Sequence, residues 1–210
     1  MISGAKTSRT NPRRASRLPA VLLAALLACV ALPASAIELA GLMQMLAQRK
    51  SGEARFTEER FVANLDRALH SSGTVRFSAP DRFARYTEQP RAESMEVQGN
   101  QITLRRGERT RQMALDTIPE LAALVDGLRG TLSGDADTLA RHFRTTVGGD
   151  RQIWTLQLTP LDARLRAQVQ QLEIAGSGAD VRSVELRMSG GDRSLMLLEP
   201  FAAAPRRTTP

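Results

Sequence analysis

Two blocks of alternating apolar and polar residues, separated by one segment of helical period, dominate the chain after residue 72. In the first block Val75 and Phe77 alternate with polar residues, a turn at 79–81 follows, and four more short segments continue to Leu115. Alternation of this kind is typical of strands with one buried face, and the Gly, Asn and Pro residues between segments favour tight turns. The pattern predicts an antiparallel meander.

The central segment has the period of a helix. Its apolar residues recur at spacings of three and four, which predicts one apolar face: Leu121, Leu124, Val125, Leu128 and Leu132. A shorter helix is predicted to begin near Asp135 and to continue through Phe143. Strands resume in the second block, over residues 152–158, 169–175, 181–189 and 194–198.

Helices between two strand blocks indicate an α+β fold. We expect an incomplete antiparallel β-barrel, a curved half-barrel sheet of about nine short strands. An N-terminal helix over residues 38–50 and the central helical pair would cover its open face as a lid. Six Phe, one Tyr and one Trp supply little bulk, so a cavity between sheet and helices is predicted.

Residues 1–36 have a composition unlike the rest. They hold five basic residues and no acidic one, then the uncharged apolar run Leu18–Leu32, then small residues up to Ala36. This order is typical of a secretory signal peptide, which predicts cleavage after Ala36, a mature domain over 37–200 and a flexible tail over 201–210. The apolar run is shorter than the roughly 20 residues that a spanning helix needs.

The only cysteine of the chain, Cys29, permits an alternative. Leu26 to Cys29 resembles a lipobox, in which the cysteine is lipidated and anchors the mature protein. The apolar run continues past Cys29, whereas lipoprotein signals usually turn polar there, so cleavage after Ala36 is favoured. With that cleavage the mature chain can form no disulfide and has no thiol nucleophile.

The charge of the mature chain argues against nucleic acid as a partner. The precursor carries +7 from 29 basic and 22 acidic residues. Because five of the basic residues lie in residues 1–36, the remainder carries 24 − 22 = +2. A basic face with aromatic platforms, as nucleic-acid binding requires, is not indicated.

Groups for covalent chemistry are not arranged in any catalytic spacing. His70 and His142 lie far apart, without the spacing of a hydrolase or a metal site. Glu58 and Glu59 are adjacent on a predicted strand, so their side chains point to opposite faces and cannot act as a pair. The sequence therefore predicts a protein that is not an enzyme and needs no cofactor or metal.

Residues 71–90 carry a family resemblance. A Ser-Gly pair leads into a strand ending near Phe77, Pro80 follows with Phe83 three residues on, and Pro90 comes seven residues later. This segment resembles the outer-membrane lipoprotein carrier proteins (LolA) and their LolA-like relatives. A Phe-x-Glu strand at 56–58 and the later helix and strands fit as well, so the likeness covers roughly residues 38–199.

The resemblance implies a hydrophobic cavity under a helical lid. In the family this cavity receives lipoprotein acyl chains from an inner-membrane transporter and passes them to an outer-membrane acceptor, which implies a monomeric periplasmic carrier. Burial gains about 0.8 kcal/mol per CH₂, so an acyl chain needs no specific chemistry. The candidate wall residues are Phe56, Val75, Phe77, Phe83, Met95, Ile102, Leu104, Met113 and Leu115, and the candidate lid residues are Leu121, Leu124, Val125 and Leu128.

One departure from the family pattern concerns an arginine. In the family the arginine that tethers the lid follows the Phe of the turn directly, whereas here Ala84 follows Phe83 and Arg85 comes one residue later. On a strand that step reverses the face. Arg85 is still a candidate cavity residue. The departure favours a LolA-like relative over the general lipoprotein carrier, since such relatives are often tied to the export of glycolipids, aryl polyenes or other acyl lipids. The alternative is an envelope-assembly or signalling module of the same fold that carries nothing and binds protein partners.

Overall fold

The structure is a computed structural model, which describes residues 36–63 and 65–199. The predicted signal peptide up to residue 35, with Cys29, and the predicted tail lie outside the described residues. Among residues 36–63 and 65–199, none of the helices has the length and hydrophobicity that a membrane span requires.

The described part of the chain contains eleven strands and four α-helices. Their bounds are α1 Leu39–Leu46, β1 Ser51–Phe61, β2 Leu69–Ser78, β3 Arg82–Gln89, β4 Glu93–Gln98, β5 Gln101–Arg106, β6 Arg109–Ala114, α2 Pro119–Ser133, α3 Ala136–His142, β7 Phe143–Gly149, β8 Trp154–Pro160, α4 Ala163–Gln168, β9 Val169–Ser177, β10 Asp180–Met188 and β11 Arg193–Leu198. A 3₁₀ turn over Leu115–Thr117 leads into α2.

All eleven strands belong to one antiparallel sheet with the order β6-β5-β4-β3-β2-β1-β11-β10-β9-β8-β7. The chain starts in the middle with β1, runs outward to the edge strand β6, and re-enters at the opposite edge with β7. The sheet is unclosed, since β6 and β7 do not pair with each other. The segment with α2 and α3 joins the two edges, so it must cross the open face of this curved half-barrel. The α+β half-barrel predicted from the sequence is therefore confirmed.

The inner face of the sheet follows the period-two pattern of the strands. In β8 every second residue, from Trp154 to Pro160, is buried. Trp154 is fully buried and its indole Nε1 donates to the carbonyl of Gly178 at 2.8 Å. These residues form the main core cluster with α1 and α3, while α2 packs on both this cluster and a second one built from β4 and β5.

Gly73 in β2 gives a physical reason for the Ser-Gly pair of the sequence pattern. It pairs with Phe56 of β1 and Thr87 of β3. A Cβ atom at this position would lie 2.0 Å from the carbonyl oxygen of Tyr86. Only glycine permits this approach of β2 and β3, so the close pairing depends on the missing side chain.

The strand count and one helix end differ from the sequence-based expectation. The sheet has eleven strands instead of about nine. The second central helix was predicted to continue through Phe143, but α3 ends at His142 and Phe143 begins β7. Phe143 continues the apolar spacing of α3, yet the sheet edge pairs it with Pro160 of β8. Pairing at the edge of the sheet therefore determines the conformation of Phe143, although the local spacing of apolar residues is helical.

Smaller differences concern the N-terminal region and two short elements. The N-terminal helix predicted over 38–50 is shorter in the structure, since α1 ends at Leu46 and β1 begins at Ser51. The short helix α4 was not predicted. His70 lies in β2, where its Nδ1 is 3.7 Å from Glu59 Oε1.

Candidate functional site

A small apolar cavity lies between α2 and the inner face of the sheet. Its volume is about 200 Å³. Ten of its twelve lining residues are apolar: Phe83, Met95, Leu121, Leu124, Val125, Leu128, Leu172, Val184, Leu186 and Met196. The two polar ones are Glu58 and Ser194. The lining comes from α2 and six strands, so both halves of the sheet contribute.

Six of the fourteen predicted site residues meet at this cavity. They are Phe83, Met95, Leu121, Leu124, Val125 and Leu128. All four predicted lid residues are among them, because the helical period of α2 places them on one face whatever lies opposite.

The other eight predicted residues lie elsewhere. Phe56 and Val75 form a packed cluster with Ala54 on β1 and β2. Ile102 and Leu115 are buried in the cluster under the N-terminal half of α2, with Leu104 and Met113 packed against it. Leu115 belongs to the 3₁₀ turn instead of a strand. Phe77 is buried and borders a different groove, and Arg85 faces Glu58 from outside the cavity lining.

Six lining residues were not predicted: Glu58, Leu172, Val184, Leu186, Ser194 and Met196. The alternating sequence of β9 to β11 places the apolar residues of this set on the inner face of the sheet. These residues could therefore have been predicted from the sequence. The pairing of β1 with β11, which places Glu58 opposite Met196, has no local signal. Glu58 and Glu59 do point to opposite faces, as predicted from their adjacency on a strand.

A larger groove of about 850 Å³ lies on the outer side of β1 to β4. Charged side chains border it, among them Glu53, Arg55, Arg76 and Glu96. An acyl chain placed there would lie against hydrated charges and gain little from burial. The cavity under α2 is therefore the candidate site for an apolar ligand.

One polar corner of the cavity is built around Glu58. Ser71 Oγ and Arg85 Nη2 donate to Glu58 Oε2 at 2.8 and 2.5 Å, and Ser194 Oγ donates to Glu58 Oε1. The guanidinium of Arg85 lies 4.6 Å from the centroid of the Phe56 ring. The Glu58 and Arg85 side chains are only 14% and 24% exposed, so the ion pair is largely withdrawn from water.

The ionisation of Glu58 couples this corner to pH. Burial raises the pKa of Glu58, but hydrogen bonds from Arg85 and Ser194 together with the charge of Arg85 outweigh it and hold the pKa below its ordinary value. A carboxyl with a lowered pKa stabilises the folded state above its unfolded-state pKa, and this contribution disappears as the pH falls through the folded-state pKa.

We therefore expect the free energy of unfolding to decline as the pH falls below about 4.3. In a Glu58→Gln variant this decline should be shallower, although Asp135 and Glu185, whose pKa values are also lowered, retain part of it. Urea unfolding of both proteins between about pH 7 and pH 3 measures the two slopes. Equal slopes would show that Glu58 contributes nothing to the acid sensitivity.

Helix α2 is held to the sheet on two opposite sides. On one side Gly127 packs so closely that a Cβ atom would lie 2.8 Å from Phe143 Cε2. On the other side Arg129 Nη2 donates to the backbone carbonyls of Asp81 and Gly99 at 2.5 and 2.8 Å. These carbonyls belong to the turns between β2 and β3 and between β4 and β5. Within the described residues no hydrogen bond joins Arg85 to α2, so the arginine that fastens this helix is Arg129.

Each of the two histidines lies near one carboxylate. His142 Nε2 is 3.3 Å from Asp126 Oδ2, and His70 lies near Glu59 on the outer face. Among residues 36–63 and 65–199 no three His, Cys, Asp or Glu side chains are placed to hold a metal ion.

Several solved structures are similar to this chain. A LolA superfamily protein from Nitrosomonas europaea is 8% identical, with 80% of this chain and 96% of that chain covered and a TM-score of 0.42. A putative outer membrane lipoprotein-sorting protein domain from Vibrio parahaemolyticus is 10% identical, with coverages of 80% and 92% and a TM-score of 0.41. A chain of the MucA/MucB complex from Pseudomonas aeruginosa is 16% identical, with coverages of 81% and 59% and a TM-score of 0.39.

The family relationship is given by the sequence. No curated protein matches the chain. The model of the family described as outer membrane lipoprotein carrier protein LolA-like matches residues 31–209, which is most of the chain. The chain therefore belongs to the LolA-like family of outer membrane lipoprotein carrier proteins.

Proposed function

We propose that this protein is a periplasmic carrier that holds a lipid or the acyl chains of a lipoprotein in the cavity under α2, for transport towards the outer membrane. The observation that carries the proposal is the cavity itself, which has ten apolar side chains and one polar corner. Family membership supports the same cargo class. In this function an inner-membrane transporter loads the carrier and an outer-membrane acceptor unloads it.

The size of the cavity requires α2 to move during loading. Ligand pockets usually measure roughly 300–1,000 Å³, whereas this one measures about 200 Å³. A long acyl chain cannot be accommodated until the four apolar residues of α2 separate from β9, β10 and β11. In this proposal α2 is the lid of the cavity and moves away from the sheet during loading.

Two neighbouring residues of β11 offer a matched test of the cavity. Met196 lines the cavity, whereas Leu197 points to the outer side and is 52% exposed. A Met196→Trp substitution places a larger ring into the empty volume and should reduce bound lipid at least about tenfold, because an acyl chain loses its apolar contacts. A Leu197→Trp substitution adds the same side chain outside and should leave lipid binding unchanged.

Native mass spectrometry of both variants and the wild-type protein, purified from the periplasm, measures the co-purified lipid. Circular dichroism verifies that each variant is folded. Equal lipid content in wild type and the folded Met196→Trp variant would contradict the location of the site. A wild-type protein that neither co-purifies with lipid nor takes up added lipid would contradict the carrier function and favour the protein-binding alternative.

A further inference from the structure

The polar corner of the cavity has an unusual distribution of charge. Within the described part of the chain, Glu58 is the one ionisable residue that lines the cavity. Its partner Arg85 is not one of the lining residues, and it lies over the Phe56 ring and donates to Thr87 Oγ1 at 3.3 Å as well as to Glu58. A ligand in the cavity therefore meets the carboxylate before it meets the guanidinium.

The carboxylate of Glu58 also has room for one more hydrogen bond. An ionised carboxylate offers about four acceptor positions. Three are used, by Ser71, Arg85 and Ser194. A headgroup that reaches this corner can donate to the remaining position.

A negatively charged headgroup would be disfavoured at the same corner. Like charges repel more strongly in a partly desolvated site than in water. Burial of an unpaired anion is costly in addition. The lowered pKa of Glu58 supports its ionised state at neutral pH.

We propose that Glu58 determines headgroup specificity, so that the cavity accepts acyl lipids whose headgroup donates hydrogen bonds and excludes acyl lipids whose headgroup is anionic. This inference rests on the proposed carrier function, whose cargo class it narrows. The recognised chemistry is a hydroxyl, amide or ammonium group next to the first carbons of an acyl chain.

Two probes with the same acyl chain test the inference. Monolauroylglycerol has a headgroup with hydroxyl donors, and laurate has an anionic one. Calorimetric titration of the purified, delipidated wild-type protein at about pH 8, where laurate is ionised, should give at least about tenfold tighter binding of monolauroylglycerol.

Substitutions on β1 then assign the preference to one residue. In Glu58→Gln the uncompensated Arg85 should attract laurate, and the preference should fall below about threefold or reverse. Glu59→Gln removes the neighbouring charge, which is on the outer face with 53% of its side chain exposed, and should keep the wild-type preference. If Glu58→Gln does not fold, the charge-balanced Glu58→Gln/Arg85→Gln double variant should show the same loss of preference.

The outcomes separate the two proposals. Equal binding of both probes by the wild-type protein overturns the headgroup inference and leaves the carrier function standing. A preference that persists in the folded variants at Glu58 overturns it as well. A wild-type protein that binds neither probe, nor any other acyl lipid, overturns the carrier function itself.

Discussion

An Arg85→Met variant should lose about 3 kcal/mol of unfolding free energy, because the substitution leaves Glu58 charged and largely buried without its cation. Arg85 donates to Glu58 and Ser71, and methionine provides neither bond. The methionine side chain preserves the contact with the Phe56 ring, so the loss reports on charge and hydrogen bonding more than on packing. The expected loss of unfolding free energy lies at the lower end of the range for broken buried ion pairs, because the Arg85 side chain is 24% exposed.

Guanidinium-induced unfolding at about pH 7, followed by circular dichroism, measures this loss. The double variant Glu58→Met/Arg85→Met separates the two causes. Replacing both charges by apolar groups removes the unpaired carboxylate, so the double variant should recover at least half of the lost free energy. A single variant within about 0.5 kcal/mol of wild type would show that the ion pair has no structural role.

An Arg129→Met variant should load and release lipid at least about tenfold faster than the wild-type protein. In the wild-type protein two hydrogen bonds from Arg129 hold α2 to the turns at Asp81 and Gly99. Hydrogen bonds to a charged group contribute about 1.5 kcal/mol or more each. Since both must break when the lid opens on that side, their removal lowers the free-energy difference between the closed and open states.

Stopped-flow fluorescence with N-phenylnaphthylamine, an uncharged apolar dye, measures the rate of uptake. Arg151→Met is the control, since Arg151 is an exposed arginine in the turn between β7 and β8. Its uptake rate should equal that of the wild-type protein. An unchanged rate in Arg129→Met would place the closing interaction on the other side of α2, where Gly127 packs against Phe143.

Elements whose partners are close in the chain could be predicted from the amino-acid sequence. The hairpins from β2 to β6 follow from alternation and turn residues, which act within a few positions. The apolar face of α2 follows from helical period alone, so Leu121, Leu124, Val125 and Leu128 were predicted together. Asp135 was predicted to begin a helix, and its carboxylate accepts from Thr138 N at 3.0 Å. Such features need no knowledge of the rest of the fold.

Which of these elements surround the cavity depends on long-range strand pairing and on the position of α2 over the sheet. The pairing of β1 with β11 brings Ser194 to Glu58 across 136 residues of sequence. The crossing of α2 over the open face brings Arg129 to Asp81 across 48 residues. Neither contact has a signal in local period or composition, because strand order and helix placement arise from burial of the whole apolar surface at once. The sequence thus predicted an apolar lid and sheet, while tertiary pairing placed the charged corner and the fastening arginine.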